Sequence, residues 1–156
     1  METNEKLIET LNGLIEINND RVNGYEKAIE ETKDLDMDLR AIFSSMASDS
    51  RKYAGELSTV VSQSGGTPAD GTTNSGKVYR VWMDIKTMFS GHNRQSLLEL
   101  CEFGEDAAQK AYKEALESDA EISAETRQVI TGQQSKLKTS HDVIKKYRDL
   151  HKAVNA

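Results

Sequence analysis

One cysteine, one proline and three histidines stand in a chain of 156 residues, and each scarcity removes a class of protein. Cys101 alone permits no intrachain disulfide and no multi-cysteine metal site; its expected state is a buried, inert thiol, in keeping with a reducing compartment. Pro68 alone leaves the chain almost free of helix breakers. No stretch approaches the ~20 consecutive apolar residues of a membrane span. The opening Met1-Glu2-Thr3-Asn4-Glu5-Lys6 leads into no apolar run of signal-peptide length, so a cytoplasmic protein without membrane association is expected. Positive charge is also short. A net charge of −6, with Lys and Arg dispersed among acids, argues against nucleic acid or anionic lipid as a partner.

Catalytic signatures are missing too. No Gly-x-Ser-x-Gly elbow occurs, and acidic neighbours of Cys101 would raise its pKa when a nucleophile needs it lowered. The nearest approach to a phosphate loop sets Gly71 before Gly76-Lys77, but Val78 takes the hydroxyl position and no strand precedes it. The expectation is a protein that is not an enzyme, with no catalytic residues and no bound cofactor.

What the chain does contain is a repeat. Leu11 and Tyr25-Glu26-Lys27-Ala28-Ile29-Glu30 return 87 residues later as Leu98 and Tyr112-Lys113-Glu114-Ala115-Leu116-Glu117. The same offset sets Leu35 on Ile122, Arg40 on Arg127, Phe43 on Ile130 and Leu57 on Ile144. A gap-free offset through two helices of each half means a doubled helical hairpin.

Hydrophobic periodicity supplies the elements. Ile8, Leu11, Leu14, Ile15, Val22, Tyr25, Ala28 and Ile29 predict a helix from Glu5 to about Lys33, followed by the polar turn Asp34 to Asp38. A second stripe from Leu39 to Val61 gives its antiparallel partner. Glycine and small polar residues from Ser62 to Gly76 suggest a flexible connection, after which Val78, Val81, Trp82, Ile85, Met88 and Phe89 form a short amphipathic helix. A third helix is expected from about Gln95 to Ser118 and a fourth from about Ala124 onward. The whole is one all-α domain, 1–156, with hairpin 1 at about 4–62, a crossover at 63–92 and hairpin 2 at about 93–154. So long a crossover lets the second and third helices run parallel, as in the ferritin-like variant of a four-helix bundle.

Polar residues interrupt the apolar stripes near mid-helix. Asn18, Ser50, Glu105, a glutamine at 133 or 134, and His141 fall there, with Tyr25 and Tyr112 two turns beyond Asn18 and Glu105. A buried carboxylate must find donors, a cation or a metal, or hold a proton. One expectation is a buried polar network of Asn18, Tyr25, Ser50, Tyr53, Glu105, Tyr112, Gln134 and His141 that sets helix register. The other is a divalent ion on Glu105 and His141 with Asp20 and Glu102. A di-iron centre requires a Glu-x-x-His pair from each of two helices, and the residues three before His92, His141 and His151 are Phe89, Lys138 and Arg148.

The stretch Leu11-Asn-Gly-Leu-Ile with Asp20 and Gly24-Tyr25, then Tyr79-Arg-Val-Trp82, then Cys101-Glu-Phe-Gly-Glu105-Asp106 with Tyr112, resembles an uncharacterised bacterial family of ferritin-like four-helix bundles carrying a domain-of-unknown-function label. The Glu105 to Tyr112 spacing is also similar to the third-helix motif of rubrerythrin-type proteins. The resemblance implies a ferritin-like fold with a crossover segment and no established reaction. The resulting expectation is a non-enzymatic binding or assembly protein, linked to stress response through family analogy, that self-associates through the 78–89 helix. The alternative is a mononuclear or degenerate dinuclear metal protein with a redox or storage role.

Overall fold

The computed structural model describes residues 2–32, 37–73 and 94–154; these are helix and connecting coil, with no strand among them. Among the described residues there are four helices: α1 (Glu2–Glu31), α2 (Met37–Gln63), α3 (Arg94–Glu117) and α4 (Ala124–Val154). Their ends lie within a few residues of those the stripes predict. The short helix expected at 78–89 lies outside the described residues.

Local chemistry sets the boundaries. Ser123 caps α4, its Oγ accepting from the Thr126 N–H at 3.1 Å while its carbonyl accepts from Arg127 at 2.9 Å. At the other end of the first hairpin, Gly66 N–H donates to the Val61 carbonyl (3.0 Å) and Gly65 N–H to that of Ser62 (3.1 Å), a Schellman closure with Gly65 at φ 87°. The next glycine serves a different need. A Cβ on Gly66 would fall 2.8 Å from the Ile8 side chain, so the turn presses bare backbone against α1.

Helix directions follow from which residues meet. Lys6 pairs with Asp119 while Tyr25 reaches Glu105, so α1 and α3 are antiparallel. Gln133 meets the Tyr53 carbonyl while Val143 lies beside Ile42 and Met46, so α2 and α4 are antiparallel too. With each hairpin antiparallel within itself, α2 and α3 point the same way. Two apolar layers fill the bundle. One holds Tyr25, Ala28, Leu39, Phe43, Met46, Ala47, Leu98, Cys101 and Ile144, and the other runs from Leu7 and Leu11 through Leu57 and Tyr112 to Leu137. Between them on α1, α2 and α3 lie Asn18, Arg21, Ser50 and Glu105, all buried.

The connection after α2 differs from the expected flexible one. Residues 67–73 lie along α1, where Asn12 grips the peptide backbone with both ends of its amide: Nδ2 donates to the Thr67 carbonyl (3.1 Å) and Oδ1 accepts from Ala69 N–H (2.8 Å). Asn19 donates to the Gly71 carbonyl (2.8 Å), and Asp20 accepts from the N–H and hydroxyl of Thr73. These α1 residues sit two turns apart on one face, which is why small side chains above them are sufficient: the helix supplies the partners.

Gly65→Ala should lower stability by about 1 kcal/mol, the left-handed conformation being unfavourable for a residue with a Cβ. Urea unfolding checks this through a lower midpoint at unchanged slope.

Candidate functional site

Asn18, Arg21 and Tyr25 follow one another at intervals of three and four, so α1 delivers an amide, a guanidinium and a phenol to the same interior stripe. Opposite them α3 delivers Glu105. The Arg21 Nη2 donates to Glu105 Oε1 at 2.6 Å and Nε donates to the same oxygen at 3.2 Å, with both side chains almost wholly withdrawn from solvent. The Tyr25 hydroxyl donates to that oxygen as well. Three donors therefore converge on Oε1, while Oε2 has no hydrogen-bond partner among the described residues.

From this pair a chain of hydrogen bonds crosses the bundle in one direction. Arg21 Nη1 donates to Ser50 Oγ, Ser50 to Asn18 Oδ1 (3.0 Å), Asn18 Nδ2 to the Tyr112 hydroxyl (2.9 Å), and that hydroxyl to Gln133 Oε1 (2.7 Å). Gln133 Nε2 then donates to Glu56 Oε1 (3.0 Å), which is exposed, and to the Tyr53 carbonyl (3.3 Å). Every hydroxyl in the chain both accepts and donates, leaving no choice of orientation. The two tyrosines are used reciprocally. Tyr25 serves Glu105, and Tyr112 serves Asn18, the residue 87 positions before Glu105.

Electrostatics follow burial. The Tyr25 hydroxyl is pushed well above its ordinary value by burial and then by the Glu105 carboxylate. The Tyr112 hydroxyl is raised chiefly by burial, against the pull of the Asn18 amide. Cys101 is likewise raised by burial and by Glu105, which makes it a poor thiolate. Burial alone would weaken the hold of Arg21 on its proton, yet Glu105 together with Tyr25 and Tyr112 outweighs it and the guanidinium is held above its usual range.

The residues weighed as metal ligands are not brought together as expected. Glu105 is taken by Arg21, and Asp20 is buried under Thr73, so neither lies beside His141. His141 leaves the core for the α3 flank, where its Nε2 faces Asp106 Oδ1 at 2.5 Å and its Nδ1 faces Asp142 Oδ1 at 3.3 Å. Glu102 is on the same flank, paired with Arg148. One donor atom each from Glu102, Asp106 and His141 lie within 4.8 Å of one another. Gln134 does not join the core network either: Gln133 is in register with Ile130 and Leu137, and Gln134 is turned about 100° away, where its carbonyl receives Gln109 at 3.5 Å. Tyr53 enters through its backbone carbonyl.

Arg21 is the participant that residue spacing alone does not single out. Its signal was its spacing, three after Asn18 and four before Tyr25, together with the need of Glu105 for a cation. The residue 87 positions on is Ala108, a buried side chain of minimal size. A dinuclear iron centre of ferritin-like type does not fit this arrangement. Among the described residues the middle of the bundle offers Glu105 and no buried imidazole, and Arg21 already gives that carboxylate a fixed positive charge.

Arg21→Met should lower stability by about 3–5 kcal/mol, because it leaves the Glu105 carboxylate buried without its partner. The double variant Arg21→Met/Glu105→Leu should regain most of that loss in chemical denaturation, since removing both charges also removes the desolvation penalty. Alkaline pH supplies a second test. The folded-state values of Tyr25 and Tyr112 lie above their unfolded ones, so their contribution is complete below about pH 10 and is lost as pH rises beyond it. Their phenolate absorbance should appear only together with loss of the helical circular-dichroism signal.

No curated protein matches the chain. A family model described as "Domain of unknown function (DUF2383)" matches residues 6–118, a span that includes α2, nearly all of α1, α3 and both members of the buried ion pair. With most of its length inside that match, the chain belongs to the DUF2383 family.

Proposed function

We propose that this protein is a non-enzymatic, ferritin-like bundle of the cytoplasm that acts by binding or assembly, its interior serving architecture and not turnover. The Arg21–Glu105 pair carries this reading. A side-chain cation meets the demand for positive charge that a metal would otherwise meet, and the network residues Asn18, Arg21, Ser50, Glu105 and Gln133 are at most 3% exposed. No substrate reaches them unless the helices part. The lone buried cysteine suits a reducing compartment.

The ferritin-like component draws support from two observations: the common direction of α2 and α3, which a long crossover requires, and the reciprocal use of tyrosines at equivalent positions of the two repeats. A second copy of the chain is the proposed partner, through the apolar stripe Val78, Val81, Trp82, Ile85 and Phe89.

Light scattering on protein purified without a histidine tag tests both components when combined with elemental analysis. The expected result is a mass that is a multiple of 17.4 kDa, reduced by Trp82→Glu, with any copurifying metal retained in Glu105→Gln. A monomer at all concentrations would remove the assembly role. Stoichiometric iron that disappears in Glu105→Gln would replace the architectural reading of the interior with a metal-dependent one.

A further inference from the structure

On the outer flank of the second hairpin, a different set of side chains converges. Glu102 and Asp106 are four residues apart on α3 and so project from one face of that helix, and His141 meets them from α4. Their donor atoms are mutually within 4.8 Å. A first-row ion bonded at about 2.0–2.2 Å needs donors no more than about 4.4 Å apart, a spacing close to the one found here.

A second observation, outside the triad, points to a cation here. The imidazole of His141 has a carboxylate at each ring nitrogen, Asp106 at Nε2 and Asp142 at Nδ1. A neutral imidazole has one N–H to donate, so it satisfies only one of the two carboxylates. With that N–H directed to Asp142, the Nε2 lone pair faces Asp106 Oδ1, and a divalent ion bound to both would take the place of a proton shared between them. This is the outer-shell arrangement that fixes the tautomer of metal-bound histidines. The third donor, Glu102, is at present paired with Arg148, and that arginine already has another acceptor, Asp149, at 2.9 Å and 3.1 Å. An arriving ion therefore displaces a guanidinium that has somewhere else to go.

We propose that Glu102, Asp106 and His141 form a mononuclear site for a divalent first-row transition ion of the zinc or manganese type, with Asp142 orienting the histidine and Arg148 competing for Glu102. One imidazole and two carboxylates favour such an ion over magnesium or calcium, which prefer oxygen alone. Three protein donors leave at least one coordination position to water or to a donor from outside the chain. The site is separate from the Arg21–Glu105 pair and stands whether or not the architectural reading of the interior does. Glu102 and His141 are mostly covered, with 14% and 19% of their side chains exposed, while Asp106 at 61% keeps the entry open.

Calorimetric titration of the full, tag-free, metal-stripped protein with Zn(II) and with Mn(II), alongside Mg(II), tests this. One ion per chain is expected for at least one of the two transition metals, with no binding of Mg(II) at the same concentration and a melting temperature that rises with the binding ion. His141→Ala and Asp106→Asn should each reduce affinity by more than about 10-fold, and Asp142→Asn by about 10-fold as an outer-shell change. Arg148→Met should tighten binding, an effect that a purely structural arginine would not produce. Circular dichroism shows that each variant retains its helices. Absence of binding to both transition ions, or unchanged affinity in His141→Ala and Asp106→Asn, overturns the proposal. Affinity not increased in Arg148→Met overturns the three-donor site by removing Glu102 from it.

Discussion

A guanidinium and a carboxylate held together out of reach of water, Arg21 against Glu105, constrain everything around them. Each ion carries a desolvation penalty of several kcal/mol, and only close approach with additional donors offsets it. Tyr25 and the second guanidinium nitrogen supply those donors on one oxygen, and Ser50 occupies another arm of the arginine. Sliding α1 along α3 by one turn would separate the charges and leave both unpaired. Apolar layers tolerate such shifts more readily, because one leucine contact resembles another. The pair therefore fixes the register between the two hairpins, and the amide and hydroxyl chain through Asn18, Tyr112 and Gln133 extends that definition to all four helices.

The hydroxyls of Tyr25 and Tyr112, 87 positions apart, each bond a polar residue of the opposite hairpin, Tyr25 donating to Glu105 and Tyr112 accepting from Asn18, whereas the position 87 beyond Arg21 holds Ala108. Acidic groups are sorted into two environments. Inside, Glu105 meets Arg21; outside, on the α3–α4 flank, Glu102 meets Arg148 and Asp106 meets His141.

Helix number, spans and the mid-bundle polar belt were legible from residue spacing, since three-four periodicity depends on the helix alone. Asn18, Ser50, Glu105 and both tyrosines announced themselves as polar residues among leucines. Arg21 did not, because a long charged residue next to a stripe usually extends to solvent, and only the position of α3 shows that it turns inward. The choice between Gln133 and Gln134, and the departure of His141 toward Asp106, depend on the rotation of α4 about its own axis by a fraction of a turn, which periodicity defines too loosely. The residues after α2 were misjudged for another reason. Their composition is that of a loose linker, and what holds them is written in α1, at Asn12, Asn19 and Asp20, more than fifty positions earlier.

That strap alters what the first helix offers to the outside. Along its length an approaching molecule meets peptide edges laid over the helix, and the side chains that would have greeted it are already engaged. Substitutions at 67, 69 and 71 leave such a surface largely unaltered, because Asn12 and Asn19 grasp main-chain atoms that every residue but proline, which lacks the N–H used at 69, possesses. The lining of this face is thus buffered against sequence drift in a way that the α3–α4 flank, whose contacts run from side chain to side chain, is not.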